Sequence, residues 1–195
     1  MGMSKYLEKN KPVYYICVLY TLNALIVVLS AWAVNINRFG LDMTISRYIG
    51  LRPWTVFMYV IVSGGMSALA FIHINKIKMN IIKKLFYNLA ISCVFLCSVF
   101  PSNRDWNLLF YNIHKVFSYM LMSCVIITLI WMLIKPVNRL QRIFSVAAII
   151  YAVFFVIAFF ITKTEYFFRT IFIWENAFIY LFIAELMIEK SREKQ

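Results

Sequence analysis

Long apolar runs alternate with short polar segments along the whole chain of 195 residues. Six of the runs are close to the length of about 20 residues that an α-helix needs to cross the hydrocarbon core of a bilayer. The pattern predicts membrane spans at residues 13–34, 54–74, 81–100, 108–134, 143–162 and 167–188. No polar segment is long enough to form a soluble core of its own. The chain is therefore predicted to be all-α, a polytopic membrane protein in which residues 1–195 form a single bundle of six transmembrane helices.

The composition agrees with this prediction and limits the function. Hydrophobic residues make up 63% of the chain, whereas a soluble domain is about half apolar. The formal net charge of +12 would suggest nucleic acid in a soluble protein, but here the cations lie beside apolar runs. Cations in that position set the topology and contact anionic headgroups. Membrane lipids are therefore the expected partners, nucleic acid is not, and the sequence identifies no protein partner.

The distribution of cations predicts the orientation of the bundle. Lys and Arg number 13 in the two tails, the even-numbered loops and the span ends next to them, and 7 in the odd-numbered loops and the span ends next to those. Cytoplasmic segments carry the excess of Lys and Arg in membrane proteins. Both termini are therefore predicted to be cytoplasmic, in a multi-pass protein of the plasma membrane. The Ile-, Asn- and Lys-rich usage is typical of a low-GC genome and favours a bacterial cell membrane.

Two titratable residues lie inside the predicted spans near their outer ends. His114 is one or two turns inside the fourth span, and Glu175 is about two turns inside the sixth. Both therefore belong to the outer half of the membrane, at similar depth. An ionised glutamate in a span is costly, so it normally faces a partner or a water-filled cavity. We expect the two residues to share one polar cluster that is reached from the outer face, and both are candidate catalytic residues.

Charged residues of the outer loops lie on the same side of the membrane as this pair. Arginine side chains bind phosphate groups with two parallel hydrogen bonds. A lipid headgroup is therefore a natural ligand for this side of the protein. The candidate ligand-binding residues are Arg47, Arg52, Arg104, Asp105 and Arg169.

A structural role is the main alternative for these polar residues. A Glu–His or Glu–Arg pair can hold two helices together without binding a ligand. Ser118 follows His114 by one turn, but a serine in a membrane helix usually bonds its own backbone. At the inner ends of the spans, we expect His73 to be interfacial and Glu185 to pair with a lysine. Lys83 is expected to snorkel towards the headgroups.

Motifs for metals, cofactors and well-known reactions are missing from the sequence. The four cysteines, Cys17, Cys93, Cys97 and Cys124, lie in apolar runs without a neighbouring histidine or acid, so no metal site is predicted. The chain has no GxSxG or HExxH motif and no glycine-rich phosphate loop. No cofactor is expected, and the sequence leaves open whether the protein is an enzyme.

Three short pieces of the sequence carry a family resemblance. They are ISRYIGLRP at residues 45–53, FPSN at residues 100–103 with the downstream His114, and the pair Trp174-Glu175. In this order they resemble the outer-loop motif, the aromatic-rich turn with its helix-four histidine, and the aromatic-plus-acid pair of the Frag/DRAM/Sfk superfamily. The rest of the chain matches the superfamily only as hydrophobic spans. The resemblance implies a six-helix bundle. Eukaryotic members are associated with lipid remodelling of membrane anchors, phosphoinositide regulation and autophagy, whereas bacterial members have no assigned function.

Three functions are compatible with these observations. The first is recognition of a lipid in a polar pocket of the outer leaflet, where arginines hold the phosphate and His114 and Glu175 line the pocket. The second is a lipid-modifying enzyme that uses His114 as a general base oriented by Glu175. The third is a transporter or a permease-like subunit, although no pair of broken helices occupies matching positions in the two halves.

Overall fold

The computed structural model of the protein describes residues 14–22, 24–25, 53–100, 102, 107–158 and 171–189. These residues form helices and short turns, and no strand occurs among them. The first helix, α1, contains residues 14–22 and 24–25. The other five are α2 (Pro53–Lys76), α3 (Ile81–Val99), α4 (Leu108–Ile134), α5 (Arg139–Val156) and α6 (Ile171–Ile188).

Asparagine residues fix where three of the helices begin. The side-chain oxygens of Asn80, Asn107 and Asn138 accept hydrogen bonds from backbone N–H groups in the first turns of α3, α4 and α5. Such caps satisfy N–H groups that have no partner within the helix. The cap at Asn138 explains why α5 begins at Arg139, before the predicted span at residue 143. Its first turn is polar, so hydropathy alone does not detect it.

The helices pack around an apolar core and leave an apolar surface outside. Helix α3 lies against α2 and α4, and α5 lies against α4 and α6. Val125 and Leu129 of α4 are completely buried in this core. On the outside, the exposed fraction is 65% for Leu85 and 66% for Ile150. Large apolar side chains that face outward on helices of this length are expected to contact lipid.

Four of the described helices, α2 to α5, are long and apolar enough to cross a membrane. Their length and composition support the prediction that the chain is a helical membrane protein. Helix α1 is tied to α6 because the Tyr20 hydroxyl donates to Asn176 Oδ1 at 2.9 Å. Tyr20 also packs edge-on against Tyr180, with 5.0 Å between the ring centroids. Six spans and two cytoplasmic termini stay a prediction.

The close approach of α2 and α3 gives a prediction about stability. A Cβ atom added at Gly64 would lie 3.4 Å from the ring of Phe95, whereas one at Gly65 would meet no described atom within 4 Å. Gly64→Leu should therefore lower the free energy of unfolding by roughly 1–3 kcal/mol, because its outer carbons compete with Phe95 for space. Gly65→Leu, the matched control, should change it much less. Thermal unfolding of both variants in detergent is the measurement, and equal melting temperatures would contradict the packing role of Gly64.

Candidate functional site

A cavity of about 260 Å³ lies where α3 ends and where α4 and α6 begin. Apolar side chains form much of its wall, among them Met122, Phe155 and Phe178. Its lining also includes polar side chains from α2, α4 and α6, namely Tyr59, Tyr111, His114, Lys115, Ser118 and Glu175. A cavity with both kinds of wall is suited to an amphipathic molecule. We refer to it as the outer cavity, after the side of the membrane on which the cation distribution predicts it to lie.

His114 is buried and holds the end of α3 against α4. Its Nδ1 lies 3.0 Å from the carbonyl oxygen of Cys97 and 2.7 Å from that of Phe100. Carbonyl oxygens only accept, so Nδ1 carries a proton and donates to them. These carbonyls lie at the C-terminal end of α3, where carbonyl oxygens have no N–H partner within the helix. In the neutral ring the other nitrogen, Nε2, is then an acceptor.

Aromatic packing reinforces the same junction. The Phe100 ring packs edge-on against Phe110, with 5.3 Å between centroids, and stacks on Phe117 at 6.1 Å. Lys115 places its ammonium 4.4 Å from the centre of the Tyr111 ring. This cation–π contact holds a positive charge at the wall of the outer cavity. The start of α4 therefore supplies both the histidine and a cation.

Glu175 enters the outer cavity from α6, next to an aromatic cluster. The Tyr151 hydroxyl donates to the carbonyl oxygen of Trp174 at 2.7 Å. The Trp174 ring also packs against Tyr151 and Phe154, with centroid distances of 6.2 and 5.4 Å. These contacts join α5 to the first turn of α6, and they fix the position of Glu175 along the bundle.

The structure thus brings His114 and Glu175 to the wall of one cavity. Whether they act together on a ligand stays a prediction. The carbonyls of Cys97 and Phe100 already orient the histidine ring, so this orientation does not require Glu175. The other predicted site residues, Arg47, Arg52, Arg104, Asp105 and Arg169, lie outside the described residues.

A thiol and a hydroxyl lie close together at the wall of this cavity. Cys97 Sγ lies 3.5 Å from Ser118 Oγ and 3.9 Å from the carbonyl oxygen of His114. In the part of the chain that the structure describes, no three His, Cys, Asp or Glu side chains come together as a metal ion would require. The Cys97–Ser118 contact is therefore best explained as packing between α3 and α4.

A second polar cluster lies at the opposite end of α3, where the hydrophobic pattern of the sequence had predicted no site. Lys83 Nζ forms an ion pair with Glu189 Oε2 at 2.5 Å. Tyr87 Oη lies 2.9 Å from Glu185 Oε1 and 3.0 Å from Glu189 Oε2. We call these four residues, Lys83, Tyr87, Glu185 and Glu189, the inner cluster. It lies about 20 Å from Cys97 along α3, at 1.5 Å per residue.

The inner cluster corrects two expectations about single residues. Lys83 is only 6% exposed, so it does not snorkel. Its carboxylate partner is not Glu185 but Glu189, which lies one turn later and just past the end of α6. His73 is buried, with its Nε2 3.1 Å from the carbonyl oxygen of Leu186, and its interfacial position stays a prediction. A signal was present in the sequence, because Lys83 and Tyr87, like Glu185 and Glu189, are four residues apart and share a helix face.

A smaller cavity of about 100 Å³ opens beside the inner cluster. Its lining includes Lys78, Lys83, Lys135 and Glu189, and it lies by the turns between α2 and α3 and between α4 and α5. The end of α6 is fixed here by Gln141, whose side-chain amide donates to the carbonyl oxygen of Ile188 at 3.1 Å. We refer to this space as the inner cavity.

These features define a helical chain with helices suited to a membrane and a polar cluster at each end of α3. Comparisons of the chain with protein-family models, curated proteins and solved structures give no match. The resemblance to the Frag/DRAM/Sfk superfamily therefore stays a prediction.

Proposed function

We propose that this chain is a six-span protein of the plasma membrane, related to the Frag/DRAM/Sfk superfamily, that binds a membrane lipid in its outer cavity. The single observation that carries the proposal is the mixed lining of that cavity. Polar groups of His114, Lys115 and Glu175 share its wall with Phe155 and Phe178. A lipid has the same division between a polar headgroup and an apolar tail.

The size of the outer cavity limits which part of a lipid it holds. Pockets for small molecules measure about 300–1,000 Å³, and this cavity measures about 260 Å³. It is therefore suited to the headgroup region and the first carbons of a chain, with the remainder in the bilayer. A phosphate fits the cation of Lys115. Arg104 and Arg169 are predicted to add further cations from the same side.

Native mass spectrometry of the purified protein tests this proposal. Ser118→Trp should fill the outer cavity and abolish retention of lipid, because Ser118 lies in its wall. Ser123→Trp is the matched control, since Ser123 is exposed on another face of the same helix. Wild type and Ser123→Trp should both carry stoichiometric lipid from the host membrane. Equal retention by the two tryptophan variants would contradict the proposal.

Analysis of the released lipid distinguishes binding from catalysis. An unchanged lipid supports recognition, whereas a chemically altered lipid supports the enzyme alternative with His114 as base. Glu175→Gln should preserve the fold and change which headgroups are retained. A loss of stability without any change in the bound lipids would instead indicate a purely structural role of Glu175.

A further inference from the structure

Tyr87 has two carboxyl partners in the inner cluster and only one hydroxyl proton. Tyr87 Oη lies within hydrogen-bond distance of one carboxyl oxygen of Glu185 and one of Glu189. The hydroxyl can donate fully to only one of them or share its proton between both. Two full hydrogen bonds at this oxygen are formed when one of the carboxyl groups carries a proton of its own.

Burial and charge place this proton on Glu185. The negative charge of Glu189 is compensated by the ammonium of Lys83. Glu185 is completely buried, and its Oε2 has no hydrogen-bond partner among the residues that the structure describes. An ionised carboxylate in this position is far more costly than a neutral carboxylic acid. The cluster has one cation for two carboxyl groups, so it is neutral when Glu185 is protonated.

Among the residues that the structure describes, none that approaches the inner cluster from another helix forms an ion pair with Glu185. Helix α2 contributes His73, and a neutral ring with its proton on Nε2 satisfies the carbonyl oxygen that it contacts. Helix α4 contributes the uncharged hydroxyl of Thr128, which lies beside the Glu185 carboxyl group and within hydrogen-bond distance of two carbonyl oxygens of its own helix. Helix α5 contributes the uncharged amide of Gln141. Lys78 and Lys135 line the inner cavity together with Glu189.

We propose that Glu185, Tyr87 and Glu189 form a proton-binding relay, in which Glu185 stores a proton that it exchanges with the inner cavity. On release, the proton of Glu185 moves from Oε1 to Tyr87 Oη, and the hydroxyl proton of Tyr87 moves to Glu189 Oε2. Tyr87 is neutral before and after this step, and only O–H bonds form and break. Glu189 lines the inner cavity, where water can accept or return the proton.

This relay gives the protein a second ligand, a proton, at the end remote from the outer cavity. The inference does not rest on lipid binding, because none of its residues lines the outer cavity. Buried carboxyl groups that exchange protons with one side of a membrane are typical of proton-dependent membrane proteins. The relay therefore takes up protons from the side of the membrane that the cation distribution predicts to be cytoplasmic.

Infrared difference spectroscopy of the full-length protein in nanodiscs tests the storage site. Between neutral and alkaline pH, we expect the carbonyl-stretch band of a protonated carboxylic acid, shifted in D2O and by 13C-labelling of glutamate carboxyl groups. The band should be lost in Glu185→Gln and kept in Glu8→Gln, a control in the polar N-terminal segment of the sequence. Wild-type protein without this band, or a band that survives Glu185→Gln, would overturn the proposal.

The exchange rate of the same band tests the relay. Tyr87→Phe removes the hydroxyl but leaves Glu185 in place, so the band should persist and its exchange after transfer to D2O should slow. Tyr59→Phe is the matched control, because Tyr59 lines the outer cavity, and it should exchange at the wild-type rate. An unchanged exchange rate in Tyr87→Phe would overturn the role of Tyr87 and leave Glu185 without its path to the inner cavity.

Discussion

Replacing Lys83 with methionine is expected to lower the free energy of unfolding by about 3–5 kcal/mol. The ammonium of Lys83 and the carboxylate of Glu189 are both buried, with exposed side-chain fractions of 7% and 2%. Removal of the cation leaves a buried negative charge next to Glu185. Desolvation of that charge, rather than the loss of one hydrogen bond, dominates the cost. Unfolding in a graded series of denaturing detergent measures the change.

A double-mutant cycle isolates the contribution of this ion pair. Lys83→Met and Glu189→Leu should each be strongly destabilising, whereas the double variant should recover much of the loss because no unpaired charge is left. Lys84→Met is the matched control, since Lys84 is half-buried and donates to the carbonyl oxygen of Asn75 at 3.3 Å. Additive single effects, or an equal loss in Lys84→Met, would contradict a buried pair.

Cysteine labelling is expected to show that only one end of the bundle is accessible from outside the cell. In a variant without the four native cysteines, a cysteine at Asn103 should react with an impermeant thiol reagent on intact cells. A cysteine at Lys78, which lines the inner cavity, should react only after permeabilisation. The reason is the excess of Lys and Arg in the tails and even-numbered loops. Mass-tag shifts on gels give the labelled fraction.

The opposite labelling pattern would indicate that the same bundle has the reverse orientation in the membrane. Labelling of both positions on intact cells would instead indicate that the helices do not form the predicted spans. The labelling must therefore be compared with that of a cytoplasmic marker protein in the same cells. Only a pattern in which Asn103 reacts from outside and Lys78 does not supports the predicted sides.

Hydropathy predicted the helices well where apolar runs have polar caps at their ends. The fourth predicted span and α4 share their bounds, because Asn107 caps the start and polar residues follow Ile134. Where polar residues continue the helix, as at Arg139 and Gln141, the apolar run starts later than the helix does. The hydrophobic pattern detects the part of a helix in lipid, whereas capping determines where its backbone hydrogen bonds begin.

The sequence predicted one part of the candidate site and missed another. His114 and Glu175 could be placed together because their depths in the spans follow from counting residues along each helix. The inner cluster could not be found this way, because Lys83 at the edge of an apolar run looks like a snorkelling side chain. Its burial depends on Glu189, 106 residues away in sequence. Which helix faces are neighbours is a tertiary property that the pattern of a single helix does not contain.

The sequence separation of Lys83 and Glu189 also means that the two charges are synthesised at different times. Translation proceeds at about 5–20 residues per second, so the stretch of 106 residues from Lys83 to Glu189 takes roughly 5–20 s to synthesise. During this interval α3 has been made, but the counter-charge of Lys83 has not. In the nascent chain, we expect the lysine to keep its ammonium at the membrane surface along its flexible stem. The snorkelling that the sequence suggests for Lys83 is therefore expected of the unfinished protein, before Glu189 is available as its partner.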